Sequence, residues 1–167
     1  MAVQFQDFSV QVKADINQKS LNALEESAIE LVSETKRQTP DNRDYSRQLK
    51  ASWDYSLNAA TGTARIGTPL EEGYWNEYGT GEHAVDTSKS RSGWWVYIEG
   101  GSGYEGATNH YATEEEAQAM AAFIRAKYGL EAVATNGTDP NHSFENAYAA
   151  KRTWIKNHMA EAMKELK

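Results

Sequence analysis

From Asn17 to Gln38 the chain runs without glycine or proline, and Leu21, Leu24, Ala28, Leu31 and Val32 recur along it at helical spacing. That period predicts a long amphipathic helix with one apolar stripe. Glu25, Glu26, Glu30 and Glu34 fall on its other faces, and Lys36 and Arg37 occupy the last turn, where they complement the helix dipole. Pro40 stops it. A stripe of this length has to be covered, so the rest of the chain must supply a partner layer.

The segments that follow are short and rich in β-formers. Leu49 to Leu57 places Trp53 and Tyr55 on one face, Asn58 to Gly62 supplies turn residues, and Thr63 to Gly67 brings Ala64 and Ile66 to one side. Two such runs joined by a turn predict a hairpin. Asp41 to Gln48 reads as a loop, Tyr74 to Tyr78 as a third strand, and Trp94 to Ile98 as a strongly β-prone run. Ahead of these, Val3 to Ile16 alternates loosely and is expected to form an edge strand or arm.

Thr113 and Glu116 form a capping box for a helix that Gly129 closes, with Ala119, Ala122, Phe123 and Ala126 as its apolar face. Leu130 to Ala134 suggests a short strand, and Thr135 to Pro140 a turn. A last helix is expected from Ser143 to Leu166, with Phe144, Ala147, Tyr148, Ile155, Met159, Ala162 and Leu166 in its stripe and Lys151 interrupting it. The expectation is an α+β fold: a small antiparallel sheet packed against a long N-terminal helix and a C-terminal helix. At 167 residues this is a single domain, 1–167, with 83–136 as an inserted strand-helix segment.

Composition removes several classes. There is no cysteine, hence no disulfide and no thiolate site. The opening residues lack the basic-then-apolar pattern of a secretory leader, and no window approaches the length of a membrane span. A soluble protein of a reducing cytoplasm is expected. The net charge is −7, with ten acidic and two basic residues between Ile66 and Glu116, whereas Lys36 to Lys50 holds five basic and two acidic. An acidic middle argues against a duplex-binding groove. Opposite local charges suit solvated faces or complementary subunit surfaces.

The segment Tyr74-Trp75-Asn76-Glu77-Tyr78-Gly79-Thr80-Gly81 is the most informative motif. A phosphate loop would continue into a helix N-terminus, usually through Lys-Ser or Lys-Thr, but Glu82 and His83 follow. Glu82, His83 and Asp86 are too close in sequence to converge readily on a metal, and no His-x-x-x-His pair supports them. No Gly-x-Ser-x-Gly turn is present. No catalytic residue, cofactor site or metal site is therefore assigned. The alternative is an enzyme of phage or bacterial origin using Glu77 or His83 in a cleft beside the bend. The five Trp and nine Tyr are expected mostly in the core, and any left exposed on a sheet would suit a subunit interface or a stacking platform for single-stranded nucleic acid, the second disfavoured by the acidic surroundings.

The order of motifs carries a resemblance. Thr39-Pro40 ends the first helix, Leu49 and Ser52 open the next element, Glu77 to Gly81 read Glu-Tyr-Gly-Thr-Gly, and Pro140, Phe144 and Ala147 introduce the last helix. This resembles the tail-completion, neck or minor capsid proteins that join head to tail in long-tailed bacteriophages. The similarity spans residues 17–82 and 137–167; the segment after Pro40 lacks the usual glycine, and 83–136 has no counterpart. The resemblance implies a non-enzymatic virion protein made in the bacterial host cytoplasm and located in the neck. It further implies a homo-oligomeric ring, six-fold in many members, between the head connector or adaptor and the tail tube or tail terminator. Genome DNA would pass through the ring without specific nucleic-acid binding, and no membrane is involved. The assembly candidates are Tyr74, Trp75, Glu77, Tyr78, Gly79, Thr80, Gly81, Pro140 and Phe144.

Overall fold

The computed structural model describes residues 9–41, 44–86, 92–98 and 110–164. Its elements are α1 (Ser9–Gln38), α2 (Asp44–Ser52), β1 (Asp54–Asn58), β2 (Thr63–Gly67), α3 (Glu72–Tyr78), β3 (Thr80–Gly81), β4 (Trp95–Ile98), α4 (Glu114–Tyr128), β5 (Ala132–Thr135), β6 (Gly137–Thr138) and α5 (Ser143–Lys164). The strands form three two-stranded antiparallel sheets, β1-β2, β3-β6 and β4-β5. The fold is α+β, with long helices at both ends. The chain divides into two compact units: 1–38, 53–68 and 144–167 form unit 1, while 39–52 and 69–143 form unit 2.

In unit 1 the β1-β2 hairpin packs on α1. Its register pairs Tyr55 with Ile66 and Leu57 with Ala64, the half-buried positions, and leaves Asp54, Ser56 and Asn58 outward. Asn58 shapes the turn, its side-chain oxygen accepting from the amides of Ala60 (3.0 Å) and Thr61 (3.2 Å). The inner face meets α1, where the Tyr55 hydroxyl donates to Glu25 at 2.9 Å. Ala23, Ala28, Leu31, Val32, Trp53 and Ala147 are buried, and the Trp53 ring stacks on Phe144 at 6.4 Å.

Helices α1 and α5 are joined by polar pairs whose order shows that they run antiparallel. Ser20 donates to the Met163 sulfur (3.2 Å), Glu26 meets His158 (2.6 Å) and Glu30 meets Lys151 (2.5 Å). Lys151 therefore belongs to the stripe it was expected to interrupt: its ammonium also lies 3.5 Å from Glu34. Glu34, expected on an outer face, is 7% exposed and also bonds Gln38 and Arg37. Tyr148, expected in the stripe, is exposed. Leu166 lies outside the described residues.

Unit 2 is organised around Val96, Ile98, Ala121, Ile124 and Ala132, with Tyr111 and Met120 packed against them. The register Val96↔Ala134 and Ile98↔Ala132 puts alternate residues of β4-β5 on α4. Thr113 caps α4, accepting from the Glu116 amide at 3.3 Å, while Glu116 accepts from the Ala112 amide at 3.1 Å. Gly129 closes the helix at φ 66°. The buried face is Ala117, Ala121 and Ile124; Ala119, Ala122, Phe123 and Ala126, expected to be the apolar face, are exposed. Both stripes have helical spacing, and the sheet selects the one carrying Ile124.

Four other expectations are corrected. Ser9 to Ile16 is helical and not an edge strand, because extending an existing helix costs far less than starting one; Val3 to Phe8 lie outside the described residues. The expected loop Asp41–Gln48 contains most of α2, and its Asn42 and Arg43 are not described. Leu49 to Ser52 belong to that helix and not to a strand, since Ser46 and Leu49, three apart, are both buried. Tyr74 to Tyr78 is helix α3 and not a strand. Its buried residues are Gly73 and Glu77, four apart, so the period is helical despite three β-prone aromatics.

Candidate functional site

Helix α3 turns Gly73 and Glu77 inward and leaves Tyr74, Trp75 and Tyr78 exposed at 47%, 42% and 44%. Tyr74 and Tyr78 lie one turn apart with ring centroids at 4.9 Å. The expected burial of these aromatics in a strand is thus overturned, and the strand face becomes a helix face. Three of its last four carbonyls are engaged locally: Trp75 accepts from the Gly79 amide (2.8 Å), Asn76 from Asn141 (2.8 Å) and Tyr78 from Val85 (2.9 Å).

Behind α3 the Gly-Thr-Gly bend crosses the segment around β6 at backbone contact. Gly79 has φ 74°, and a Cβ there would lie 2.8 Å from the Thr138 carbonyl oxygen and 2.9 Å from that of His83. Gly81, at φ 62°, is tighter, with the Asn136 carbonyl oxygen 2.0 Å and the Trp95 ring 2.6 Å from the added carbon. Here glycine is required by conformation and by space. Thr80 pairs with Thr138 and Gly81 with Gly137, and the two threonine hydroxyls are 2.9 Å apart. Pro140 packs over Gly79, its Cδ 3.0 Å from the same added carbon. Eight of the nine expected assembly residues thus belong to unit 2, around α3, the bend and β6. Phe144 does not; it belongs to unit 1, stacked on Trp53.

The sequence reading missed the polar partners of the bend. His83 Nδ1 lies 2.7 Å from Asp139 Oδ1 and its Nε2 3.3 Å from Asn136 Oδ1. The Asn136 amide donates to Glu82 at 3.1 Å, and Glu82 accepts from the Gly93 amide at 3.2 Å. The bond to Asp139, and then that to Asn136, hold the His83 pKa above the usual 6.5. The only sequence signal for these partners was that Asn136 and Asp139 fall in the expected turn cluster.

Imidazole beside carboxylate is half of an acid–base dyad, but Nε2 faces an amide oxygen and not a hydroxyl. Glu77, the other residue of the enzyme alternative, is buried. Within unit 2 a Glu77 carboxylate oxygen and a His142 ring nitrogen lie within 4.8 Å of one another. No helix of the described residues is long and apolar enough to cross a membrane. No family model, curated protein or solved structure matches the chain.

Proposed function

We propose that this protein is a structural subunit that assembles through α3, as a ring at the head–tail junction of a tailed bacteriophage. The observation that carries the reading is the exposed face of Tyr74, Trp75 and Tyr78 on a short helix anchored by a glycine-locked bend. Aromatics held rigidly at a surface contribute contact area with little side-chain entropy left to lose, which favours an interface. The ordered motifs from Thr39-Pro40 to Phe144 and Ala147 supply the phage assignment. The role is assembly and not catalysis, with the head connector and the tail tube or terminator as partners and the virion neck as the location.

Electron microscopy and light scattering of the purified chain test the assembly. Closed rings that Trp75→Glu converts to monomers are the expected result. A monomer at every concentration, or rings indifferent to Trp75→Glu, would overturn it. The phage role is tested separately: a phage lacking the gene should release full heads and separate tails, and joined particles would refute that part.

A further inference from the structure

The hydrogen-bond directions around His83 determine its protonation. A carboxylate accepts and cannot donate, so Glu82 must receive the Asn136 NH2 group, which turns Asn136 Oδ1 toward His83 Nε2. Asp139 is likewise an acceptor at Nδ1. Both ring nitrogens therefore face oxygens that can only accept, and only the imidazolium carries a proton on each. A neutral ring that keeps its Nδ1 proton for Asp139 would point the Nε2 lone pair at the Asn136 oxygen.

The location gives this consequence. Asn136 immediately precedes β6 and Asp139 immediately follows it, while His83 sits in the turn after β3. The ring thus spans both ends of the strand that β3 pairs with. We propose that His83 is a proton-operated clasp. Its imidazolium form ties the turn after β3 to both flanks of β6, and loss of the Nε2 proton releases the Asn136 flank.

Among the described residues the charged groups acting on the ring are Asp139 and, more weakly, Glu82, both of which favour the cation, while partial burial opposes it. Because the folded pKa is raised, the clasp is complete below the unfolded value of 6.5 and is lost as pH rises through the folded one. The inference rests on the geometry of unit 2 alone and is independent of the phage role.

Imidazole and backbone NMR of the full chain, from about pH 5 to about pH 9, provides the test. His83 should carry protons on both nitrogens at the acid end, with a midpoint above that of the same residue in the urea-unfolded chain. The amides of Gly81, Glu82 and Gly137 should shift with the same midpoint. Asp139→Asn should lower that midpoint, and His83→Gln should abolish the amide transition. A His83 midpoint at or below the unfolded value, or an amide transition that persists in His83→Gln, would overturn the clasp. If His83→Gln fails to fold, the wild-type and Asp139→Asn midpoints still decide it.

Discussion

Both units contain a carboxylate joined to a cationic side chain, yet the two joints answer pH in opposite directions. In unit 1 the Glu34 side chain retains 9% of its surface and is met by Gln38, Arg37 and Lys151. Gln38 first, then Arg37 and Lys151, hold its pKa below the usual carboxylate value, against the effect of burial. In unit 2 the His83 and Asp139 side chains retain 39% and 85%, and here the cation is the group that titrates. Chemically similar pairs therefore serve differently. The buried carboxylate is structural, because stripping its partners leaves a desolvated charge. The exposed pair is screened by water and contributes little to stability, but it can respond near neutral pH.

The largest expected effect lies in the bend. Gly81→Val should cost on the order of 3 kcal/mol or more and dissolve the β3-β6 pairing, because the new carbon would overlap the Asn136 carbonyl as well as strain the backbone. Gly62→Val, in the unit 1 hairpin, has the same sign of φ but nothing within 4 Å, and should cost roughly 1–2 kcal/mol from strain alone. Denaturant unfolding of both variants measures the gap, and equal losses would mean that close packing at Gly81 does not matter.

Lys151→Met should come next, because it removes one cation from Glu30 and Glu34 while keeping the stem of the side chain. It should lower the thermal midpoint at pH 7 and narrow the difference between neutral and acid stability. An unchanged acid profile would detach Lys151 from Glu34. The smallest expected effect is the acid loss that the wild-type network itself contributes. Since the folded pKa of Glu34 is depressed, its stabilisation is present above its ordinary value of 4.5 and disappears as pH falls through the folded value. Glu34→Gln should flatten that limb in acid unfolding monitored by circular dichroism.

Much of this architecture is readable from local chemistry. Proline after Thr39, the Thr113–Glu116 cap and Gly129 mark helix ends within a few residues of themselves, and the structure places those ends accordingly. The hairpin is equally local, since Asn58 and Gly62 build its turn. The site was half readable: the glycines announce an unusual backbone at Gly79 and Gly81, but nothing nearby in sequence names Asp139, which is 56 residues from His83. The enzyme alternative pointed to His83 for catalysis, whereas the structure gives that ring acceptors on both sides.

By itself, then, the chain's sequence determined an α+β fold bounded by two long helices, the end of the first and the start of the last, and a glycine bend. Tertiary structure alone decided that Tyr74 to Tyr78 is a helix presenting its aromatics outward. It also decided which face of α4 is buried and that Lys151 lies in a stripe it seemed to break. The physical reason is the range of the interactions. Caps and turns are settled by neighbours along the chain, whereas the choice between two periodic faces, or between strand and helix for an aromatic run, depends on which distant segments arrive to cover it.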